Sequence, residues 1–137
     1  MYALIAKLLV FVTVFLSFIM PGDVNGAVVT VDNDVKTTDA VIDYTITNET
    51  GYVMANDSWV ESLEIKVKDT WVAVPVKDDA TTAVFYVHPG DATYDSYNAF
   101  WLAPGTYRLT VGYNVITEFD ESTEVGYSSV EFDVTFK

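Results

Sequence analysis

Residues 102–115 read Leu102-Ala103-Pro104-Gly105-Thr106-Tyr107-Arg108-Leu109-Thr110-Val111-Gly112-Tyr113-Asn114-Val115, and this pattern decides what kind of fold the chain can have. Pro104-Gly105 forms a turn. Behind it Tyr107, Leu109, Val111, Tyr113 and Val115 fall on one face at period two, and Arg108, Thr110, Gly112 and Asn114 fall on the other. A helix would instead repeat its apolar residues at spacings of three and four. The stretch is a strand with one apolar face, entered from a turn, with a tyrosine near its start.

Similar segments lie on both sides. Residues 27–31 alternate weakly and read as a first, edge strand, broken by Asp32-Asn33-Asp34. Ala40, Ile42, Tyr44 and Ile46 alternate with Val41, Asp43, Thr45 and Thr47, a half-buried strand closed by Asn48-Glu49-Thr50-Gly51. A short strand over residues 52–55 follows. Leu63, Ile65 and Val67 then alternate with Glu64, Lys66 and Lys68 before Asp69-Thr70 turns into Trp71-Val72-Ala73-Val74-Pro75, a hairpin. Its loop length decides where Trp71 points. Asp-Thr is a poor pair for a two-residue turn, which favours a three-residue loop, Val67 opposite Trp71, and a buried indole.

Residues 76–82 are polar and read as a loop. Residues 83–88 form a strand stopped by Pro89-Gly90-Asp91, and the aromatic-rich residues 92–101 lead into Pro104-Gly105. After residue 115 a connection over residues 116–126 carries Glu118, Asp120, Glu121 and Glu124 around Phe119. The last strand points Ser128, Val130, Phe132, Val134 and Phe136 inward. About seven short strands with no helical period predict an all-β protein, a two-sheet antiparallel sandwich. Tyr107, entering a late strand after a turn, matches the tyrosine corner of immunoglobulin-like sandwiches and is assigned a structural role.

The N-terminus carries a different signal. Lys7 precedes an apolar run over residues 8–20, Pro21-Gly22 ends it, and Val24-Asn25-Gly26 supplies a small residue before Ala27. The run falls short of the roughly 20 residues a membrane span needs. Residues 1–26 therefore read as a signal peptide with its hydrophobic helix, or as an anchor if uncleaved, and residues 27–137 as one domain. The chain is expected outside the cell or on its surface, touching membrane only through an uncleaved N-terminus. With no cysteine, the domain folds without disulfides and has no thiolate chemistry. A net charge of −13 repels nucleic acid and anionic lipid and keeps an acidic exterior solvated.

Several short motifs resemble a bacterial immunoglobulin-like domain of small exported proteins, chiefly of Gram-positive bacteria. They are Ile42-Asp43-Tyr44-Thr45-Ile46-Thr47-Asn48, Ser62-Leu63-Glu64-Ile65 followed by Trp71-Val72-Ala73-Val74-Pro75, Pro89-Gly90, and Leu102-Ala103-Pro104-Gly105-Thr106-Tyr107-Arg108, spread over roughly residues 28–135. The resemblance implies a sandwich without assigned activity, often a lipoprotein; this chain lacks the cysteine that lipidation needs. Thr47-Asn48-Glu49-Thr50-Gly51-Tyr52 is also similar to the first loop of chagasin-type cysteine-protease inhibitors, whose glycine-rich second loop and Arg-Pro-Trp third loop are missing. The Asn…Pro-Gly-x-Tyr layout is similar to that of a bacterial intracellular serine-protease inhibitor.

Candidate chemistry is sparse. His88 is the single histidine and sits before Pro89, so it reads as structural, and a histidine-rich zinc site is excluded. Carboxylates abound, but no pair is set across a cleft as glycosidase chemistry requires. Calcium is the one cofactor the composition admits, at Asp32-Asn33-Asp34, Asp78-Asp79 or the Glu118/Asp120/Glu121/Glu124 segment, none of which follows an EF-hand pattern. Trp59, Trp71, Tyr94, Tyr97, Trp101 and Phe119 could line a sugar- or peptide-binding face, although Trp71 and Trp101 are assigned to the core. Asn48-Glu49-Thr50 and Asn56-Asp57-Ser58 fit the N-glycosylation pattern.

The expectation is a non-enzymatic, exported interaction or structural module that meets a protein or cell-surface partner. Its binding residues are placed at Glu118, Phe119, Asp120, Glu121 and Glu124. A secreted protease inhibitor and a calcium-dependent adhesion domain are the alternatives.

Overall fold

In the computed structural model, residues 26–56, 58–76, 84–116 and 123–137 are described, with side chains omitted for Thr123 and Glu124. The segment expected to be a signal peptide, apart from Gly26, lies outside them. Ten strands occur among the described residues: β1 (Ala27–Val31), β2 (Val35–Lys36), β3 (Val41–Asn48), β4 (Val53–Asn56), β5 (Val60–Val67), β6 (Thr70–Val74), β7 (Phe85–Val87), β8 (Ala92–Asn98), β9 (Gly105–Ile116) and β10 (Thr123–Thr135). They form two sheets, so the chain is all-β and sandwich-like. The smaller sheet runs β1-β3-β8, and the larger begins β2-β10-β9.

Strand β9, entered at Gly105, organises the larger sheet. One edge pairs with β10 along its whole length. The other pairs with β5 from Tyr107 to Val111 and with β4 from Asn114 to Ile116. β4 and β5 are thus two halves of one line along β9, and β7 and β6 pair with those halves in turn. All pairings are antiparallel except β2 on β10, which is parallel. Two residues suffice for that pairing, because the chain leaves the smaller sheet at Asp32 and joins the larger at Val35. Asn33 braces this crossing: its carboxamide donates to the Val41 carbonyl (2.8 Å) and accepts from the Asp43 amide (2.9 Å), as a backbone partner would.

Inward residues of both sheets form one core. Ile42 and Ile46 from β3 meet Leu63 from β5 and Leu109 and Val111 from β9, all with almost no exposure. Each such side chain contributes about 1.5–3 kcal/mol on leaving water. Tyr107 packs against Phe132, its cross-strand partner, at 5.8 Å between ring centroids. Its hydroxyl donates to the Ala103 carbonyl at 2.7 Å, tying the turn to the strand. Tyr113 reaches across the core, where its hydroxyl accepts the Ala27 amide at 3.2 Å. Gly126 faces Tyr113 in the register, and a β-carbon there would lie 2.4 Å from the ring. Only glycine leaves room.

Four expectations need correction. The β5–β6 loop is Lys68-Asp69, with Val67 opposite Thr70 and Lys66 opposite Trp71, so the indole points outward. Lys68 and Asp69 adopt φ of 49° and 65°, the left-handed pair that a tight two-residue hairpin demands. Trp101 is not core but 61% exposed, because its backbone amide is held by the Ala99 carbonyl and it is Leu102 that turns inward. Phe136 lies past the end of β10 and is 75% exposed, leaving Val134 as the last inward residue. Finally, Ile116 pairs with Thr123, so both ends of the stretch over residues 116–126 belong to strands, and residues 117–122 separate β9 from β10.

Candidate functional site

Of the expected binding residues, Glu118, Phe119, Asp120 and Glu121 lie outside the described residues. Glu124 is in β10, opposite Val115, with its backbone alone described. The residues that do come together are on the outer face of the larger sheet.

Alternation places Glu64 and Lys66 of β5, Trp71 and Ala73 of β6, Arg108, Thr110, Gly112 and Asn114 of β9, and Tyr127, Ser129 and Glu131 of β10 on this face. At its centre the Arg108 guanidinium lies 4.4 Å from the centroid of the Trp71 ring. Its Nε and Nη2 both donate to Glu64 Oε1, at 2.9 and 2.8 Å. The Lys66 ammonium stands 5.9 Å from the same indole. A cation over an indole is worth about 0.5–1 kcal/mol at such a partly exposed site, and the partly exposed ion pair about as little. The stack therefore adds little to stability. What it does is hold Arg108 and Trp71 in one geometry on an open surface.

The far end of the face is shaped by Gly112. A β-carbon there would lie 3.1 Å from Glu61 Oε1 and 3.4 Å from the Tyr127 ring, so the absent side chain lets Tyr127 lie across β9. Between the two aromatics the Thr110 and Ser129 hydroxyls are bonded at 2.8 Å. Tyr127 and Val125 stay exposed. At strand spacings of about 4.8 Å and rises of about 3.3 Å per residue, Trp71 and Tyr127 are about 14 Å apart across the sheet and about 20 Å along it.

Other marked positions serve the fold. Asn48 is fully buried; its amide nitrogen donates to the carbonyls of Tyr52 (2.6 Å) and Val87 (2.8 Å), and its oxygen accepts from the Thr50 amide and hydroxyl. It joins the turn after β3 to the turn before β8 and offers no nitrogen to a sugar. Asn56 donates to the Gly112 carbonyl. His88 is exposed in the turn, its carbonyl accepting the Asp91 amide at 3.0 Å. Trp59 and Tyr97 are core, and Tyr94 is exposed. Asp32 accepts hydroxyls from Thr30 and Thr45, and among the described residues no three acidic or histidine side chains converge to hold a metal. Asp78-Asp79 lies outside the described residues.

The Trp71–Arg108 stack was hidden in the sequence by the hairpin turn, since burying or exposing the indole rests on where two residues twist. The signal that could have found it is the opposition of Glu64 and Arg108, both on polar faces of adjacent strands. The sequence matches no protein-family model and no curated protein.

Proposed function

We propose that this chain is an exported, non-catalytic immunoglobulin-like domain that binds a protein partner through the outer face of its larger sheet. The immunoglobulin-like reading is supported by the strand order β1-β3-β8 against β2-β10-β9-β5-β6, by the parallel β2–β10 pair, and by the Tyr107 hydroxyl bonded back to Ala103. Export is supported by the apolar run over residues 8–20 and the small residues after it.

The observation that carries the binding role is the Trp71–Arg108–Glu64 stack on an otherwise open face, with Tyr127 at its other end. Trp, Tyr and Arg are the side chains in which binding energy concentrates at protein interfaces, because each desolvates a large surface at low entropic cost. Held in place before binding, they lose little further freedom on contact.

The test is cross-linked capture from the native cell surface, comparing the parent chain with Trp71→Ala, Arg108→Ala and, as a control on the other sheet, Tyr94→Ala. Capture of a defined partner by the parent and by Tyr94→Ala, lost in the other two, is the expected result. Equal capture by all four chains removes this face from the function.

A further inference from the structure

We infer that the edge of β8 left unpaired among the described residues is a guarded site for strand addition by an extended, basic segment of a partner protein. This is a second surface, on the other sheet from the Trp71–Arg108 face, and it does not depend on that reading. Among the described residues β8 pairs only with β3. The bonds Asn48 amide to Asp91 carbonyl and Ala99 amide to Ala40 carbonyl bracket that ladder. Odd-numbered residues of β8 therefore bond β3, and the backbone groups of Tyr94, Ser96 and Asn98 face the open edge.

One of those donors is already taken. The Ser96 amide donates to Asp95 Oδ1 at 2.8 Å, so the carboxylate folds over the edge and caps it. Asp95 shares the inward face with Tyr44 and Tyr97, and a charge so placed on an edge strand discourages indiscriminate pairing. An incoming strand must displace the carboxylate from the Ser96 amide and replace that partner, since the Tyr44 hydroxyl donates to its other oxygen only at a long 3.5 Å. A lysine or arginine opposite Asp95 does both.

The charge distribution points the same way. β1, β3 and β8 contain Asp43 and Asp95 and no lysine or arginine; the described cations are Lys36, Lys66, Lys68 and Arg108 on the larger sheet, and Lys137. A second copy of this chain is a poor occupant, since two β8 strands bring only acids to each other and each chain carries −13. Beside Tyr97 lies an open apolar groove of about 370 Å³ lined by Val74, Pro75, Val76, Trp101 and Leu102. The occupant is thus a segment with a basic residue opposite Asp95 and an apolar one opposite Tyr97, two positions apart.

The full chain is titrated with a synthetic seven-residue peptide carrying valine, lysine and valine at alternate positions and threonine at the others. Saturable binding is expected, with amide shifts at Tyr94, Ser96 and Asn98. Glutamate in place of the lysine, or N-methylation of the amides that would face β8, should weaken it more than about tenfold. No saturation, indifference to both changes, or self-association of the chain that the peptide leaves unaltered each overturns the proposal. Trp71→Ala should leave the titration unchanged, which separates its failure from failure of the larger-sheet face.

Discussion

Replacing Gly126 by alanine tests how tightly β9 and β10 are matched. The substitution puts a β-carbon 2.4 Å from Tyr113 Cε2, 2.5 Å from Cζ and 2.7 Å from the hydroxyl oxygen, about 1 Å inside ordinary contact. Tyr113 sits directly opposite in the register, so the ring cannot slide along the strand; it must swing, and then it releases the Ala27 amide. Overpacking of this kind costs about 1–3 kcal/mol and the lost hydrogen bond about 1 kcal/mol. Gly126 does not have a positive φ, so alanine meets no backbone strain and recovers about 0.5 kcal/mol by restricting the unfolded chain. The net is a loss of about 2 kcal/mol, or about 8 °C in Tm for a domain of this size. Urea and thermal unfolding measure it. In a Tyr113→Leu background, which lacks the three clashing atoms, the same alanine should be neutral or mildly stabilising. A single variant within about 1 °C of the parent, or the same loss in the leucine background, refutes the packing argument.

Other substitutions probe the polar ties. Tyr107→Phe leaves the Ala103 carbonyl without its donor and should lower stability by about 1 kcal/mol, read from the urea midpoint. Burial pushes the Tyr107 phenol above its ordinary value, so the neutral form is favoured by folding. Its contribution is complete below a pH of about 10 and falls as pH rises through the folded value, so the gap between parent and Tyr107→Phe should narrow in alkali. Asn48→Ala removes four hydrogen bonds at a fully buried site and should cost at least about 3 kcal/mol, enough to expose the turns before β4 and β8 to limited proteolysis. Trp71→Ala should shift Tm by less than about 3 °C, because the indole is only partly covered. A large drop there would mean that the stack serves folding.

How far the sequence could be read depended on what each residue's position rested upon. The faces of β3, β5 and β9 were legible because period two needs no knowledge of neighbours, and Leu109 is inward whatever lies opposite. Gly126 was not legible, since its meaning exists only in register with Tyr113. Asn48 read as a strand end and a glycosylation site, whereas its carboxamide is spent on two turns distant in sequence. Trp71 was misplaced by one step of hairpin register. That step moved its indole from the core to the surface.

Alternation also says which face is apolar without saying whether anything covers it. Val67 and Val72 share the inward face with Leu63 and Ile65, yet are 46% and 45% exposed. The reason is width. Among the described residues the smaller sheet ends at β8, while the larger extends beyond β9 through β5 to β6, so the last strands overhang. Phe85 on β7, inward with Val87, is half exposed for the same reason. A fourth strand added beside β8 would lie beneath this overhang, extending the smaller sheet and covering part of the apolar surface it now leaves open. The unequal widths of the two sheets thus give the Asp95-guarded edge a hydrophobic return that its hydrogen bonds alone would not supply.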